Sequence, residues 1–205
     1  LDNYANAFLK RTMDFLGALF LLILCSPILL AAAIGVKLTS PGPVIFKQER
    51  VGLNKELFTM YKFRSMVVND QSNTAWSTNE DPRKTKFGAF IRKFSIDELP
   101  QLYNVLKGDM SLVGPRPELP YFVENFQKSV PLYMVKHQVK PGITGLAQVK
   151  GYRGDTSIPK RIEWDVYYIE NWSLFLDIKI LFMTVFKGLR NEEVLPVSEE
   201  KKKEK

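Results

Sequence analysis

The longest apolar stretch of the chain lies near its N terminus. Residues 15–36 form a run of 22 residues without a charged side chain. A helix rises about 1.5 Å per residue, so this run is long enough for a hydrocarbon core of about 30 Å. It is too long for the apolar part of a secretory signal peptide. The pattern therefore predicts a membrane segment over residues 15–36.

A proline interrupts this segment near its middle, at Ser26-Pro27. Proline cannot donate to the carbonyl of Ile23, whereas the Ser26 hydroxyl can bond to the freed backbone, so the pattern predicts a kink. A kinked single span fits the pattern, and so does a re-entrant hairpin that enters and leaves by the same membrane face. Both ends carry basic residues, which favour the cytoplasmic side: Lys10, Arg11, Lys37 and Lys47.

Alternating apolar and polar residues predict a β-hairpin after the membrane segment. Residues 44–46 are typical of a short strand, 52–55 of a turn and 57–66 of a second strand. The alternation places Lys62 and Arg64 on one face of that strand. Two neighbouring cations are common on a solvated strand face, and they are equally suited to bind a diphosphate.

Residues 95–117 carry the most informative pattern in the chain. Apolar residues recur at helical spacing before a glycine at position 108, namely Leu99, Leu102, Tyr103 and Leu106. The prediction is a short helix with Asp97 and Glu98 at its start. The positive end of a helix favours anions, so this pair of carboxylates is a candidate site for phosphate chemistry.

Helix capping explains the same residues without any function. Ser95 and Glu98 fit a capping box, and Asp97 could itself be the N-cap with Pro100 in the first turn. On spacing alone, capping is the commoner explanation of such a pattern.

The remaining periodicity predicts helices over 87–94, 118–136 and 162–168 and a strand over 110–113. A last helical stripe covers 174–186, and such a stripe packs either in the core or along a membrane interface. Residues 191–205 end in a run of lysines and predict a flexible basic tail. The predicted fold is α+β, a small membrane-associated single domain over residues 1–190 with short strands and interfacial amphipathic helices.

Composition narrows the possible partners and chemistry. The net charge of +7 and a pI near 9.4 favour anionic partners. Cys25 is the only cysteine, which excludes a disulfide framework and a thiolate zinc site. His137 is the only histidine, and we expect it at the surface. Aromatic residues lie on apolar stripes and are not interleaved with basic ones, so no nucleic-acid partner is expected.

Four further side chains are candidates for anion binding or for polar roles near a site. Arg116 lies between two prolines in Gly-Pro-Arg-Pro, a rigid turn that suits either structure or a planar anionic ligand. Arg92 fits either a helix surface or a phosphate site. Arg153 lies within a glycine-rich segment, residues 140–155, whose backbone can approach a ligand closely. Asp177 is a polar residue inside the last apolar stripe.

Three blocks together resemble a known family. They are YKFRSM at 61–66, SIDELPQLYNVLKGDMSLVGPRP at 95–117 and KPGITGLAQVKG at 140–151. In this order, behind an apolar N-terminal segment, they resemble the monotopic phosphoglycosyl transferases among the bacterial sugar transferases. The resemblance implies the re-entrant hairpin. It also implies a cytoplasmic (inner) membrane protein with its catalytic domain on the cytoplasmic face, in contact with membrane lipids.

The resemblance further implies a reaction. A sugar 1-phosphate moves from a UDP-sugar to a polyprenol phosphate such as undecaprenyl phosphate, which releases UMP and begins the assembly of a bacterial glycan. Asp97 is the implied nucleophile, and Asp97 and Glu98 are the implied catalytic residues and Mg²⁺ ligands. The implied substrate-binding residues are Lys62, Arg64, Arg92, Arg116, Pro117, Arg153 and Asp177. Arg153 stands in Lys-Gly-Tyr-Arg, where relatives often have Gly-Arg directly.

Two other functions remain open at this point. One is a one-step transferase that uses Asp97 only as a metal ligand. The other is a non-catalytic, membrane-anchored scaffold whose basic face binds anionic lipid or nucleotide. The sequence does not identify the sugar.

Overall fold

A computed structural model describes residues 4–67, 82–154 and 156–188, and the predicted basic tail lies outside these ranges. The helices are α1 (Tyr4–Leu24), α2 (Ser26–Thr39), α3 (Lys86–Lys93), α4 (Gln101–Lys107), α5 (Pro120–Ser129), α6 (Leu146–Val149), α7 (Ile158–Glu170) and α8 (Leu174–Gly188). The strands are β1 (Ile45–Val51), β2 (Leu57–Phe63), β3 (Ser111–Val113) and β4 (Gly142–Thr144). This mixture of helices and short strands confirms the α+β prediction.

The apolar N-terminal segment forms two helices with a sharp bend between them. Helices α1 and α2 meet at Cys25 with an angle of 63°. The Ser26 hydroxyl donates to the carbonyl of Ile23 at 2.8 Å, which is the back-bond predicted next to Pro27. None of the described helices is by itself both long and apolar enough to cross a bilayer. The bent pair passes that test together, by length and composition only.

Both ends of the bent pair pack on the same globular body. Near the start of α1, Lys10 Nζ donates to the carbonyl of Val113 at 3.1 Å. Near the end of α2, Val36 is buried beside Ile91. A side chain at Gly35 would overlap the ring of Phe87, so this contact requires glycine. The two helices thus leave the body and return to it.

The predicted hairpin is confirmed, with a shorter second strand than expected. Strands β1 and β2 pair antiparallel from Ile45–Phe63 to Val51–Leu57. Asn104 of α4 docks on this hairpin, because its amide donates to the carbonyl of Thr59 at 2.7 Å and its oxygen accepts from the backbone of Tyr61 at 3.1 Å. This buried asparagine holds α4 against the strand that carries Lys62.

Strands β3 and β4 bring two of the sequence blocks together. They pair in parallel, with Ser111 opposite Gly142. A side chain at Gly142 would overlap the backbone nitrogen of Gly114, so the backbones touch at these two positions. The Gly-Pro-Arg-Pro turn therefore lies directly beside the glycine-rich segment that begins at Lys140.

The helix predicted over 118–136 is wrong in its second half. Helix α5 ends at Ser129, and a 3-10 helix over Tyr133–Gln138 follows a left-handed residue at Leu132. The latter helix buries His137, whose Nδ1 lies 3.2 Å from the carbonyl of Gly52. Burial lowers the pKa of His137 to about 4. The expectation of a surface histidine is therefore also wrong.

One face of helix α8 packs in the core, and a second, apolar face is exposed. Asp177 and Ile180 are fully buried. Several large apolar side chains of the same helix are exposed, namely Phe175, Ile178, Phe182, Val185 and Phe186. Core packing thus describes one part of the apolar stripe over 174–186. The exposed part is suited to a membrane interface.

Candidate active site

The two candidate carboxylates lie in a turn of their own. Ile96–Glu98 forms one turn of 3-10 helix, and Ser95 before it adopts a left-handed conformation with φ of 56°. The capping interpretation is wrong for this turn, since Ser95 makes no side-chain capping bond and Pro100 occupies the N-cap of α4. The Ser95 hydroxyl instead accepts from Arg153 Nη2 at 3.0 Å.

Glu98 lies at the centre of three cations. Its Oε1 accepts from Lys62 Nζ and from Arg116 Nη2, each at 2.9 Å. Its Oε2 lies 3.5 Å from Arg153 Nη2. Burial alone would raise the pKa of Glu98, but the three cations hold it well below its ordinary value. We name Lys62, Asp97, Glu98, Arg116 and Arg153 the Glu98 cluster.

Asp97 is buried beside this group and differs from Glu98 in its partners. It takes part in none of the ion pairs among residues 4–67, 82–154 and 156–188. Burial and the charge of Glu98 raise its pKa, while Lys62, Arg92 and Arg153 oppose that rise. Two adjacent carboxyl groups thus have opposite pKa shifts, which is typical of catalytic pairs with different roles.

The Glu98 cluster attracts anions. With all groups ionised, three cations and two carboxylates leave one excess positive charge. The side chains of Arg116 and Arg153 are 25% and 30% exposed, whereas that of Glu98 is 8% exposed. The cluster is therefore reached from the side of the two arginines. Excess positive charge in a partly buried site favours phosphate groups.

The site shifts the pKa values of two of its cations in opposite directions. Burial lowers the pKa of Lys62 to about 8, although Glu98 opposes this shift. The charge of Glu98 raises the pKa of Arg116. Lys62 is consequently the cation of the cluster whose charge changes near neutral pH.

The structure places Arg92 and Pro117 next to this cluster. Arg92 lies in the last turn of α3, and its charge acts on Asp97. Pro117 follows Arg116, and its carbonyl accepts from Arg50 Nη1 at 3.2 Å.

Arg64 points elsewhere, although it is two residues from Lys62. Strand β2 ends at Phe63, and Arg64 Nη2 donates to the carbonyl and the hydroxyl of Ser40 at 2.7 and 2.8 Å. Its Nε and Nη1 are buried without a hydrogen-bond partner. Arg64 thus holds the chain where it leaves α2, outside the Glu98 cluster.

Asp177 belongs to a second buried cluster. Lys10 Nζ lies 2.7 Å from Asp177 Oδ2 and 3.2 Å from Asp14 Oδ1. Tyr168 and Trp172 also donate to Asp177, at 2.8 and 3.2 Å. We name these five residues the Asp177 cluster. It ties α1 to α8, and sequence reasoning missed Lys10 and Asp14 as partners of Asp177 because both lie at the other end of the chain.

Comparison with known proteins places this arrangement in a family. Residues 5–191 match the family model for bacterial sugar transferases. The UDP-glucose:undecaprenyl-phosphate glucose-1-phosphate transferase of Escherichia coli K12 is 50% identical over 193 residues, which are 91% of this chain and 41% of that protein. The UDP-N-acetylgalactosamine-undecaprenyl-phosphate N-acetylgalactosaminephosphotransferase of Aeromonas hydrophila is 52% identical over 182 residues, 87% of this chain and 43% of that protein.

A third relative matches this chain along nearly its whole length. The exopolysaccharide production protein PSS of Rhizobium leguminosarum is 44% identical over 190 residues, 88% of this chain and 95% of that protein. The chain spans about two-fifths of the length of the other two relatives. Since the family model covers almost all of the described residues, including both carboxylates and their three cations, the chain belongs to the bacterial sugar transferase family.

Proposed function

We propose that this chain transfers a sugar 1-phosphate from a UDP-sugar to a polyprenol phosphate, with undecaprenyl phosphate as the acceptor. The observation that carries the proposal is the Glu98 cluster, a cation-rich group that fixes one carboxylate, while Asp97 beside it takes part in no ion pair within the described residues. The names of two relatives point to the same donor and acceptor classes. The product, a polyprenyl-diphosphate sugar, would begin the assembly of a glycan at the membrane.

The proposed transfer takes place in two steps. A carboxylate oxygen of Asp97 attacks the β-phosphorus of the UDP-sugar, and the bond between that phosphorus and the oxygen bridging it to the α-phosphate breaks, which releases UMP. The phosphate of the polyprenol then attacks the same phosphorus and displaces Asp97. Covalent capture divides a transfer between two anions into two easier steps. The charges of Lys62, Arg92, Arg116 and Arg153 act on Asp97 and would offset the charge in both steps.

The surroundings of Asp97 suit a nucleophile. An attacking carboxylate must be deprotonated. Burial and the charge of Glu98 raise the pKa of Asp97, and the charges of Lys62, Arg92 and Arg153 limit that rise. Glu98 binds Lys62 and Arg116 through a single oxygen, so it keeps these cations beside Asp97 when no donor is bound. Glu98 is thus proposed to organise the cations, and Asp97 to react.

Mg²⁺ is part of the proposal. Within the described residues no group of three or more His, Cys, Asp or Glu side chains could hold a metal ion. Mg²⁺ usually keeps several waters and binds one or two carboxylates together with substrate phosphates, and Asp97 and Glu98 fit this mode. When bound there with the donor, Mg²⁺ would supply charge neutralisation on the diphosphate.

Two predicted substrate-binding residues receive a different role in this proposal. Arg64 holds the exit of α2 through Ser40, and Asp177 holds α1 through Lys10. We infer that both anchor the bent helix pair to the body. Pro117 remains with the donor, as the residue that fixes the backbone next to Arg116.

We further propose that the bent helix pair is re-entrant and that the body lies on the cytoplasmic face of the membrane. Lys10 near one end and Val36 near the other are both buried against the same body, so neither end is free to reach the opposite face. The bend at Cys25 and the exposed apolar side chains of α1 and α2 fit insertion to a limited depth. The hairpin would hold the Glu98 cluster at the level of lipid head groups.

The topology is tested with single cysteines on both sides of the bend. In a Cys25→Ser background, Asn6→Cys and Pro41→Cys are each labelled with a membrane-impermeant maleimide in inside-out vesicles and in intact cells. We expect both positions to react only in inside-out vesicles. Labelling of the two positions from opposite sides would restore the spanning helix.

The activity is tested by measuring UMP release from a panel of UDP-sugars in the presence of Mg²⁺ and undecaprenyl phosphate. We expect at least one donor to give UMP and a polyprenyl-diphosphate sugar in equal amounts. Binding of nucleotide or anionic lipid without UMP release from any donor would support the scaffold alternative instead.

A further inference from the structure

A third group of buried charges lies behind the Glu98 cluster. Glu118 directly follows Pro117, and its Oε1 accepts from Arg161 Nη1 at 2.8 Å. The side chains of Glu118 and Arg161 are 8% and 3% exposed. Arg161 comes from the start of α7, so this ion pair joins the Gly-Pro-Arg-Pro turn to a distant helix.

The same guanidinium also holds the segment that carries Arg153. Arg161 Nη2 donates to the carbonyl of Gly154 at 2.7 Å, and Gly154 directly follows Arg153. A guanidinium is planar and rigid, so two bonds from its two terminal nitrogens fix the relative position of their acceptors. Arg161 thus connects the neighbour of Arg153 with the segment of Arg116.

Arg50 extends this connection to the β-hairpin. Its Nη1 donates to the carbonyl of Pro117 at 3.2 Å and lies 3.9 Å from Glu118 Oε2. The backbone nitrogen of Val51 donates to the carbonyl of Glu118 at 3.0 Å. Strand β1, which contains both residues, pairs with the strand of Lys62. The segment of Arg153 is therefore connected to Glu118 through Arg161, and the strand of Lys62 is connected to it through β1.

We propose that Glu118 and Arg161 are positioning residues that set the spacing of Arg116 and Arg153, and thereby the affinity of the site for the diphosphate of a nucleotide. This inference rests on the proposed function only for the identity of the ligand. Burying an ion pair costs desolvation, and an apolar pair of similar size often stabilises a protein as well. An apolar pair, however, would not fix the relative position of the two binding segments.

The test uses Arg161→Lys, which keeps the charge but loses the planar fork. In the full chain in detergent, we expect the Kd for UDP to rise by about 10-fold, since misplacing a binding group by about 1 Å has effects of that order or larger. Ile162→Ala is the matched control, because Ile162 is buried in the same helix outside the ion pair. It should lower the melting temperature and leave the Kd for UDP unchanged well below that temperature.

A double variant separates positioning from general destabilisation. If Arg161 acts through Arg153, then Arg153→Gln combined with Arg161→Lys binds UDP no more weakly than Arg153→Gln alone. Losses that multiply in the double variant would contradict the proposal. Glu118→Gln combined with Arg153→Gln should weaken UDP binding by less than the product of the two single losses, since Glu118 also positions Arg116.

Amide hydrogen exchange provides a readout that does not depend on catalysis. Arg161→Lys should speed exchange in peptides that cover residues 114–118 and 150–154. Ile162→Ala should not speed exchange in these two segments more than in the rest of the chain. Unchanged exchange in both segments would overturn the positioning role even if the wild-type chain transfers sugar phosphate. If the wild type releases no UMP from any donor, the proposed function fails, and exchange still decides whether Arg161 links the segments.

Discussion

The Glu98 and Asp177 clusters are both buried and ionic, yet their charges are arranged in opposite ways. In the Glu98 cluster three cations surround one carboxylate, and a second carboxylate lies beside them. In the Asp177 cluster one lysine pairs with two carboxylates, and the neutral donors Tyr168 and Trp172 bond to both oxygens of Asp177. An excess of cations leaves capacity for an anionic ligand, whereas a filled set of donors stabilises the fold.

The two clusters also differ in their exposure to solvent. Arg116 and Arg153 are partly open to solvent, whereas Asp177 is fully buried. A ligand therefore has access to the first cluster. The second joins α1 to α8 and β3 from the inside. The comparison predicts that substitutions in the Glu98 cluster reduce transfer and that those in the Asp177 cluster reduce stability.

The largest effect on transfer is expected for Asp97→Asn. The amide is nearly isosteric but is a poor nucleophile, so UMP release should fall by more than about 10³-fold with the melting temperature retained. Steady-state assays of UMP and of lipid product, together with thermal unfolding, measure both quantities. Turnover close to that of the wild type would remove Asp97 from the role of nucleophile.

Arg116→Gln should have the next largest effect. It removes one of the two cations on Glu98 Oε1, and loss of one charge-stabilising donor at a reacting centre typically costs about 10²-fold. The measurement is kcat/KM for the donor that is active with the wild type. Lys107→Gln, which changes an exposed ion pair with Asp109, is the matched control and should leave kcat/KM unchanged. Equal losses in the two variants would contradict the comparison.

A pH dependence of UDP binding should follow from Lys62. Its pKa is about 8, so raising the pH from 7 to 9 removes its charge and should weaken UDP binding by about 10-fold. Between pH 8 and about 10.5 the unfolded chain binds more protons at this lysine than the folded one, so its contribution to stability rises with pH. Unfolding therefore does not explain the loss of binding.

Calorimetry of UDP binding from pH 6 to 10 measures this loss of affinity, which should appear as a step near pH 8. Lys62→Arg keeps a positive charge throughout that range and serves as the control, in which the step near pH 8 should disappear. A step of the same size in both proteins would assign the titration to another group.

Asp177→Asn should have the smallest effect on transfer and a large effect on stability. It leaves Lys10 with a weaker partner in a fully buried position, and breaking a buried ion pair costs about 3 kcal/mol or more. Chemical unfolding gives the free energy of unfolding, and UDP binding is measured on the folded fraction. Lost UDP binding with unchanged stability would instead place Asp177 among the substrate ligands, as the family resemblance implies.

Local patterns predicted much of the fold. The bend at Ser26-Pro27, the β-hairpin and helix α3 follow from proline chemistry, alternation and helical spacing. The end of α5 did have a signal in the sequence, which the helical spacing over 118–136 outweighed: Pro131 disfavours helical backbone at Val130, and Val130 is extended where α5 ends. The burial of His137 could not be predicted from local patterns, since its contact with Gly52 joins residues 85 positions apart.

The sequence identified most of the residues that lie together at the candidate site, but not how they are arranged. Lys62, Asp97, Glu98, Arg116 and Arg153 do lie together. Arg64 shares the alternation of Lys62 but lies one residue after the strand, so the face-sharing argument no longer applies to it. Glu118 and Arg161 gave no signal in the sequence, because an ion pair between a turn and a helix 43 residues apart has no periodicity.

The most direct test of the account is the intact mass of the protein after incubation with UDP-sugars and Mg²⁺ without a lipid acceptor. For the wild type we expect a mass increase equal to one sugar phosphate with the active donor, and its discharge when undecaprenyl phosphate is added. Asp97→Asn should show no increase. Lipid product from the wild type without any adduct would point to one-step transfer, and an adduct of equal yield on Asp97→Asn would contradict the assignment of the nucleophile.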